Sequence, residues 1–220
     1  FSRHSDDIAL NEKLFERVKS VYENREKFNL TPEESKLLED EYLGFIRSGI
    51  GLSSENKEVL RKLNSELSLL GVRFGENLLA ETNAFTLVID NEQDLSGIPE
   101  GIRAQAAAAA RAKNMEGKWL FTLQNPSYIP FMTYADNRAL REKMFRGYSM
   151  RGNNGNEHDN NKILADIIRL RVEKARLLGY ESHADYVLER NMAKEPETVL
   201  NFLSQIWEAA LPVAKAEAAA

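Results

Sequence analysis

Residues 176–206 read RLLGYESHADYVLERNMAKEPETVLNFLSQI, and the punctuation of this stretch makes the chain helical. Gly179 follows Leu178 at the place where a left-handed residue just past the last turn ends a helix. Ser182 is placed to cap a short second helix, with Asp185 three residues on as a shorter form of the capping box. Pro196 suits the first position of a third helix, where its missing N–H would have had no intrahelical partner anyway. One helix stop and two helix starts predict helix, turn, helix, turn, helix.

The first third carries the same signals. Leu10, Leu14, Val18 and Val21 recur at helical spacing over residues 8–27. Thr31, Pro32 and Glu34 supply an N-cap, a first-turn proline and a capping-box partner. The helix they open carries Leu38, Tyr42, Phe45 and Ile46, and Gly49 or Gly51 ends it. A third start at Ser53 and Ser54 leads into Leu63, Leu67, Leu70, Phe74 and Leu78, the cleanest apolar stripe in the sequence. Gly71 and Gly75 interrupt it, each at about 1 kcal/mol relative to Ala. Close packing against a neighbouring helix is the expected reason, with a hinge as the alternative.

The middle changes period. Phe85, Leu87 and Ile89 alternate with Thr86 and Val88, and Trp119, Phe121 and Leu123 repeat that alternation, so both runs read as strands. Between them residues 99–113 read as a helix whose alanines, 106–110, look like high-propensity filler. Residues 125–130 hold Pro126 and Pro130 and read as a loop, because proline disfavours helix in the residue before it. A helix over 134–151 follows, with Leu140, Met144 and Tyr148 on one face. Residues 152–156, GNNGN, read as a flexible polar turn. Asp159 or Asn160 then caps a helix bearing Leu164, Ile168, Val172 and Ala175, and the last helix presents Val199, Leu203, Ile206, Ala210 and Ala214. The expected fold class is mainly α, a multi-helix domain with a small two-stranded β element and no internal repeat.

Composition narrows the function. The net charge of −5 argues against general nucleic-acid binding, which needs a concentrated positive field. No apolar run approaches the roughly 18–20 residues of a membrane span. The chain has no cysteine, which excludes disulfides and thiolate metal sites. Phe1 is not an initiator methionine, and residues 216–220 stop inside a helical pattern, so the expectation is an internal piece of a longer protein.

Chemistry-bearing motifs are absent. Zinc hydrolysis in its helical form needs H-E-x-x-H, two imidazoles one turn apart with a carboxylate between them. The only histidines are His4, His158 and His183, each isolated in sequence and expected to be solvated or structurally bonded. Neither a P-loop, a G-x-S-x-G nor a G-x-G-x-x-G occurs. The one basic run, Arg138, Arg141, Lys143, Arg146 and Arg151 with Phe145 and Tyr148 interleaved, has the makings of an anion track. The acidic chain and nearby Glu142 favour a salt-bridged helix face instead.

The wording of three segments resembles the thimet oligopeptidase and peptidyl-dipeptidase family of zinc metallopeptidases. Leu178-Gly179-Tyr180, Ala184-Asp185-Tyr186 and Met192-Ala193-Lys194-Glu195-Pro196 are similar to that family's Leu-Gly-aromatic turn, Ala-x-Tyr helix and Met-Ala-Lys-x-Pro step. Upstream, residues 137–145, NRALREKMF, resemble its N-R-x-x-R-E-K-x-F run, and residues 117–125, GKWLFTLQN, its strand-and-Asn segment. The likeness covers residues 85–214 in matching order, and the strand end Val88-Ile89-Asp90 with the alanine-rich helix points to the bacterial peptidyl-dipeptidase branch.

That resemblance implies a two-lobed helical peptidase with a deep channel. Zinc is held there by the two His of H-E-x-x-H and a downstream Glu, and the Glu inside the motif activates water. None of those residues has a counterpart in this sequence, so no catalytic, cofactor-binding or metal-binding residue is assigned. Zinc and short peptide substrates belong to the parent protein, which by this reading releases dipeptides from C-termini. Residues 1–220 would then be a fragment of the helical lobe upstream of the zinc-binding region, inactive alone and part of the channel wall. The implied compartment is the cytoplasm, with the periplasm as the other choice; oligomeric state is left open. The competing expectation is a non-catalytic helical module that binds peptides or partner helices, with the stripe of Leu63, Leu67, Leu70, Phe74 and Leu78 as the candidate surface.

Overall fold

Helix caps set most of the architecture, and a computed structural model of the chain, describing residues 2–219, shows where they act. Ten α-helices, two short 3-10 helices and two short strands occur among the described residues. Helix α1 spans Ser2–Ala9 and α2 spans Glu12–Glu23. Asn11 separates them by accepting from the Leu14 N–H at 3.0 Å, so the single helix expected over residues 8–27 is broken by a cap. Helix α3, Pro32–Arg47, opens on the expected capping box: the Glu34 N–H donates to Thr31 Oγ1 at 3.2 Å, and the Thr31 N–H donates to Glu34 Oε2 at 2.9 Å. Gly49 turns the chain with φ +88°, and a Cβ there would stand 2.9 Å from Leu60 Cδ2. Helix α4 then runs Ser54–Ala84.

Strands β1, Leu87–Ile89, and β2, Trp119–Phe121, pair antiparallel in the register Leu87↔Phe121, Val88↔Leu120, Ile89↔Trp119. Leu87 and Ile89 are buried while Val88 is exposed, as the period-2 pattern requires. Helix α5, Glu100–Arg111, connects the strands and packs on β2. Its alanines are not filler. Ala106 and Ala110 are buried, because only a methyl group leaves room for a helix to lie so close to a strand.

Helix α6 spans Asn125–Tyr134, where a loop was expected. Pro126 sits in the first turn and removes no hydrogen bond. Pro130 does remove one, but the turn it occupies seats Phe131, fully buried and edge-on to Phe121 at 4.7 Å between ring centres. Tertiary burial outweighs local propensity here. Helices α7, Arg138–Ser149, α8, Asn161–Leu177, α9, His183–Leu188, and α10, Pro196–Ala219, complete the chain. The Ser182–Asp185 capping box forms, and Gly179 takes φ +88° as expected.

The chain divides into two compact units. One comprises residues 2–69 with 167–219, the other Leu70–Asp166. In the first, Tyr22 stacks on Tyr42 at 4.0 Å, Phe15 joins Tyr42 and Phe45, and Leu60, Leu63, Leu170 and Ala175 are buried. The core of the second gathers Leu87, Ile89, Leu95, Ile98, Phe121, Phe131 and Met144. Leu63 and Leu70 of the α4 stripe are buried, so that stripe is core rather than a free docking face. Gly71 and Gly75 face open space among the described residues, with nothing within 4 Å of a built Cβ. Helix packing therefore does not explain them.

Candidate functional site

In the second unit, the end of α4 meets the loop after α7 around one carboxylate. Glu81, 8% exposed, accepts from the Gly152 N–H and from Asn154 Nδ2, which lies 3.0 and 2.9 Å from its two oxygens. Asn156 Nδ2 donates to the same group at 2.7 Å. Burial by itself would raise this carboxyl, but Asn154, the Gly152 N–H, Asn156 and the nearby His158 together hold it below its ordinary range. The sequence that reads as a flexible polar turn is thus an ordered clamp. The signal was its surplus of amide donors, which require an acceptor when brought against a protein surface.

Neighbouring bonds fix the clamp. Gly152 has φ +73°, and a Cβ there would meet Asn160 Nδ2 at 2.8 Å. Asn160, 4% exposed, donates its backbone N–H to the Gly152 carbonyl at 2.7 Å and its side chain to the Phe74 carbonyl at 3.1 Å, and accepts from Asn77 at 3.0 Å. Asp159 ties both ends of the turn, accepting from the Gly155 N–H at 2.9 Å and the Asn161 N–H at 2.8 Å. Arg151 donates to Thr82 Oγ1 at 2.7 Å and lies 3.8 Å above the Tyr148 ring, which stacks on Tyr128 at 4.3 Å. Burial, then the adjoining Tyr148, pushes the Tyr128 phenol up against the opposing pull of Arg151.

Beside the clamp runs an open groove of about 760 Å³, walled by Phe85, Leu87 and Met150 and rimmed by Lys143, Arg146 and His158. Arg146 is bridged to Glu142 at 2.8 Å, as the salt-bridged reading of this helix expects. Arg141 instead caps α6, donating to the Ala135 carbonyl at 2.5 Å and the Asp136 carbonyl at 2.9 Å. The side chains of Lys143 and Arg138 make no hydrogen bond or ion pair among the described residues. The groove offers positive charge and apolar wall, the elements of carboxylate or acidic-peptide binding. Both Glu81 oxygens on its wall already accept from the donors of the clamp.

In the first unit, the motif tyrosines have a structural task. Arg47 donates to Tyr180 Oη at 3.2 Å and to the Tyr186 carbonyl at 2.5 Å, and pairs with Glu189. Tyr180 Oη donates to Glu189 Oε2 at 2.8 Å, and the guanidinium lies 4.7 Å from the Tyr186 ring centre. The Leu-Gly-Tyr turn and Ala-x-Tyr helix therefore close on one arginine of α3. The family resemblance flagged the tyrosines, but nothing local marks Arg47 as their partner.

His4, on α1, is exposed, and His183 opens α9; both lie in the first unit, whereas His158 lies in the second. His183 Nδ1 is buried without a partner, and burial, followed by the charges of Arg171 and Lys174, depresses this imidazole. No three His, Asp or Glu side chains among the described residues are arranged to hold a metal ion. No helix among them is long and apolar enough to cross a membrane.

Residues 131–220 match the model described as Peptidase family M3. The sequence is 37% identical over 222 aligned residues to Oligopeptidase A of Escherichia coli (strain K12), covering 99% of this chain and 32% of that protein. It is 35% identical over 206 residues to the Dipeptidyl carboxypeptidase of the same organism, covering 94% of this chain and 30% of that protein. Saccharolysin of Saccharomyces cerevisiae is 27% identical over 214 residues, 96% of this chain and 29% of that protein. The chain thus spans about a third of the length of the curated relatives it matches. The likeness extends through the first third, further than the motifs alone carried it, and identities of 37% and 35% do not single out the peptidyl-dipeptidase branch.

Proposed function

We propose that this chain is a non-catalytic helical part of a zinc metallopeptidase that cleaves short peptides, releasing dipeptides from their C-termini. In this reading residues 1–220 lie upstream of the zinc-binding region and form part of the wall of a substrate channel. Zinc and peptide substrates belong to the complete protein, which works in the cytoplasm or, as the other choice, the periplasm. The observation that carries the reading is 37% identity over 99% of the chain to a protein named as an oligopeptidase. A wall of this kind selects substrates by size and leaves bond cleavage to residues elsewhere.

Zinc content and hydrolysis of short peptides, measured side by side on the 220-residue chain and on the complete protein, test this. Zinc and chelator-sensitive activity are expected in the complete protein only, with a C-terminal dipeptide as the product. Chelator-sensitive turnover by the chain alone overturns the reading.

A second reading, a helical module that binds partner helices, is favoured by α10, where Phe202, Ile206 and Trp207 are exposed. It predicts silence in both preparations.

A further inference from the structure

Asn154 and Gly155 form the only Asn-Gly pair of the chain, and both stand exposed outside any helix or strand. An asparagine is chemically weakest in this setting. The backbone nitrogen of the next residue can attack the side-chain amide carbon, and glycine, with no Cβ, lets that nitrogen come close. Asn153, Asn156 and Asn161 are followed instead by Asn154, Glu157 and Lys162, whose side chains crowd the approach.

The fold ties down both reacting groups. Asn154 Nδ2 donates to Glu81 Oε1 at 3.0 Å and to Oε2 at 2.9 Å, which holds the side-chain amide toward α4. The Gly155 N–H donates to Asp159 Oδ2 at 2.9 Å. Attack requires this nitrogen to lose its proton, and a carboxylate beside it disfavours the anion that results. The closed clamp therefore keeps the pair intact. The product does not fit the clamp. A carboxylate at position 154 replaces the donor of two bonds and faces the buried Glu81 carboxylate, where like charges repel.

We propose that Asn154-Gly155 is a deamidation site guarded by the Glu81 clamp, and that its reaction with water opens the clamp for good. The Gly155 nitrogen gives its proton to solvent hydroxide and attacks Asn154 Cγ; the N–Cγ bond forms and the Cγ–Nδ2 bond breaks. Nδ2 leaves with its electron pair and takes protons from water as ammonium. Water then opens the five-membered imide at either carbonyl, giving aspartate or isoaspartate at position 154. Amide and water become carboxylate and ammonium, with nothing oxidised or reduced. Asn154 also lines the groove rimmed by Lys143 and Arg146, so the same reaction adds a negative charge to its wall.

The test ages the folded chain and its Glu81→Ala variant at pH 8 and follows every asparagine by peptide mass spectrometry. Releasing Asn154 from Glu81 is expected to speed its conversion at least several-fold, while the exposed Asn114 and Asn191 keep their rates and show that the variant is folded. Equal conversion of Asn154 in the two chains overturns the proposal. A second readout needs no variant. The aged wild-type molecules that carry the new carboxylate, separated by anion exchange, should exchange the Gly152 amide several-fold faster than intact ones. Equal exchange in the two fractions overturns the proposal whatever the variant does.

Discussion

Replacing Glu81 isolates the clamp. In Glu81→Ala the Gly152 N–H, Asn154 and Asn156 lose their common acceptor. The two Asn side chains are exposed and rebind water, so their loss is small. Gly152 is buried, and its N–H donates to Glu81. An orphaned buried donor costs about 1–3 kcal/mol, and the lost charge-assisted bonds add to that, so a destabilisation of about 2–4 kcal/mol is expected. Glu81→Gln keeps the shape and one oxygen but turns an NH₂ toward donors, and should cost about 1–2 kcal/mol. Urea unfolding followed by circular dichroism measures both, and amide exchange at Gly152 reports the loop directly. The pH dependence has a definite sign. A carboxyl held below its ordinary 4.5 contributes stability that is fully present above that value and is lost as pH falls through its folded value. The gap between wild type and Glu81→Gln should therefore narrow as pH falls below 4.5 and close once pH has passed the folded value. Variants within about 0.5 kcal/mol of wild type at pH 7, with unchanged exchange at Gly152, would refute the clamp.

Four further outcomes are expected. Arg47→Lys should cost about 1–2 kcal/mol in chemical denaturation, because a point ammonium cannot reach Tyr180, Glu189 and the Tyr186 carbonyl together. Phe131→Ala should cost about 3–5 kcal/mol, the fate of a fully buried aromatic, and lose the near-ultraviolet signal of the second unit first. Gly71→Ala and Gly75→Ala should each stabilise the chain by about 0.5–1 kcal/mol in the same assay, since both are helical with open space for a methyl. In a proton NMR titration the His183 midpoint should fall below 6.5; the neutral ring is the folded form, so its contribution weakens as pH drops from 6.5 and then levels off.

Much of the fold was legible residue by residue. Thr31 with Glu34, Ser182 with Asp185, Gly179 and the alternation at Leu87 and Ile89 all act within a few positions of themselves, and each appears where its local chemistry puts it. The candidate site was not legible in the same way. The donors of residues 152–156 were visible, but their acceptor, Glu81, lies some seventy residues earlier on another helix. Tyr180 and Tyr186 stood out as a motif, whereas Arg47 looked like one more basic residue at a helix end.

The sequence by itself determined that the chain is mainly helical, where most helices start, and that two short strands interrupt them. Those properties depend on caps, periods and residue types that act locally. Only the tertiary structure decided that residues 125–134 are helical despite two prolines, because burying Phe131 against Phe121 outweighs one missing bond. It also decided that Ala106 and Ala110 are core and that the Asn-rich turn is clamped. Each of these depends on a partner distant in sequence, and burial is a property of the pair.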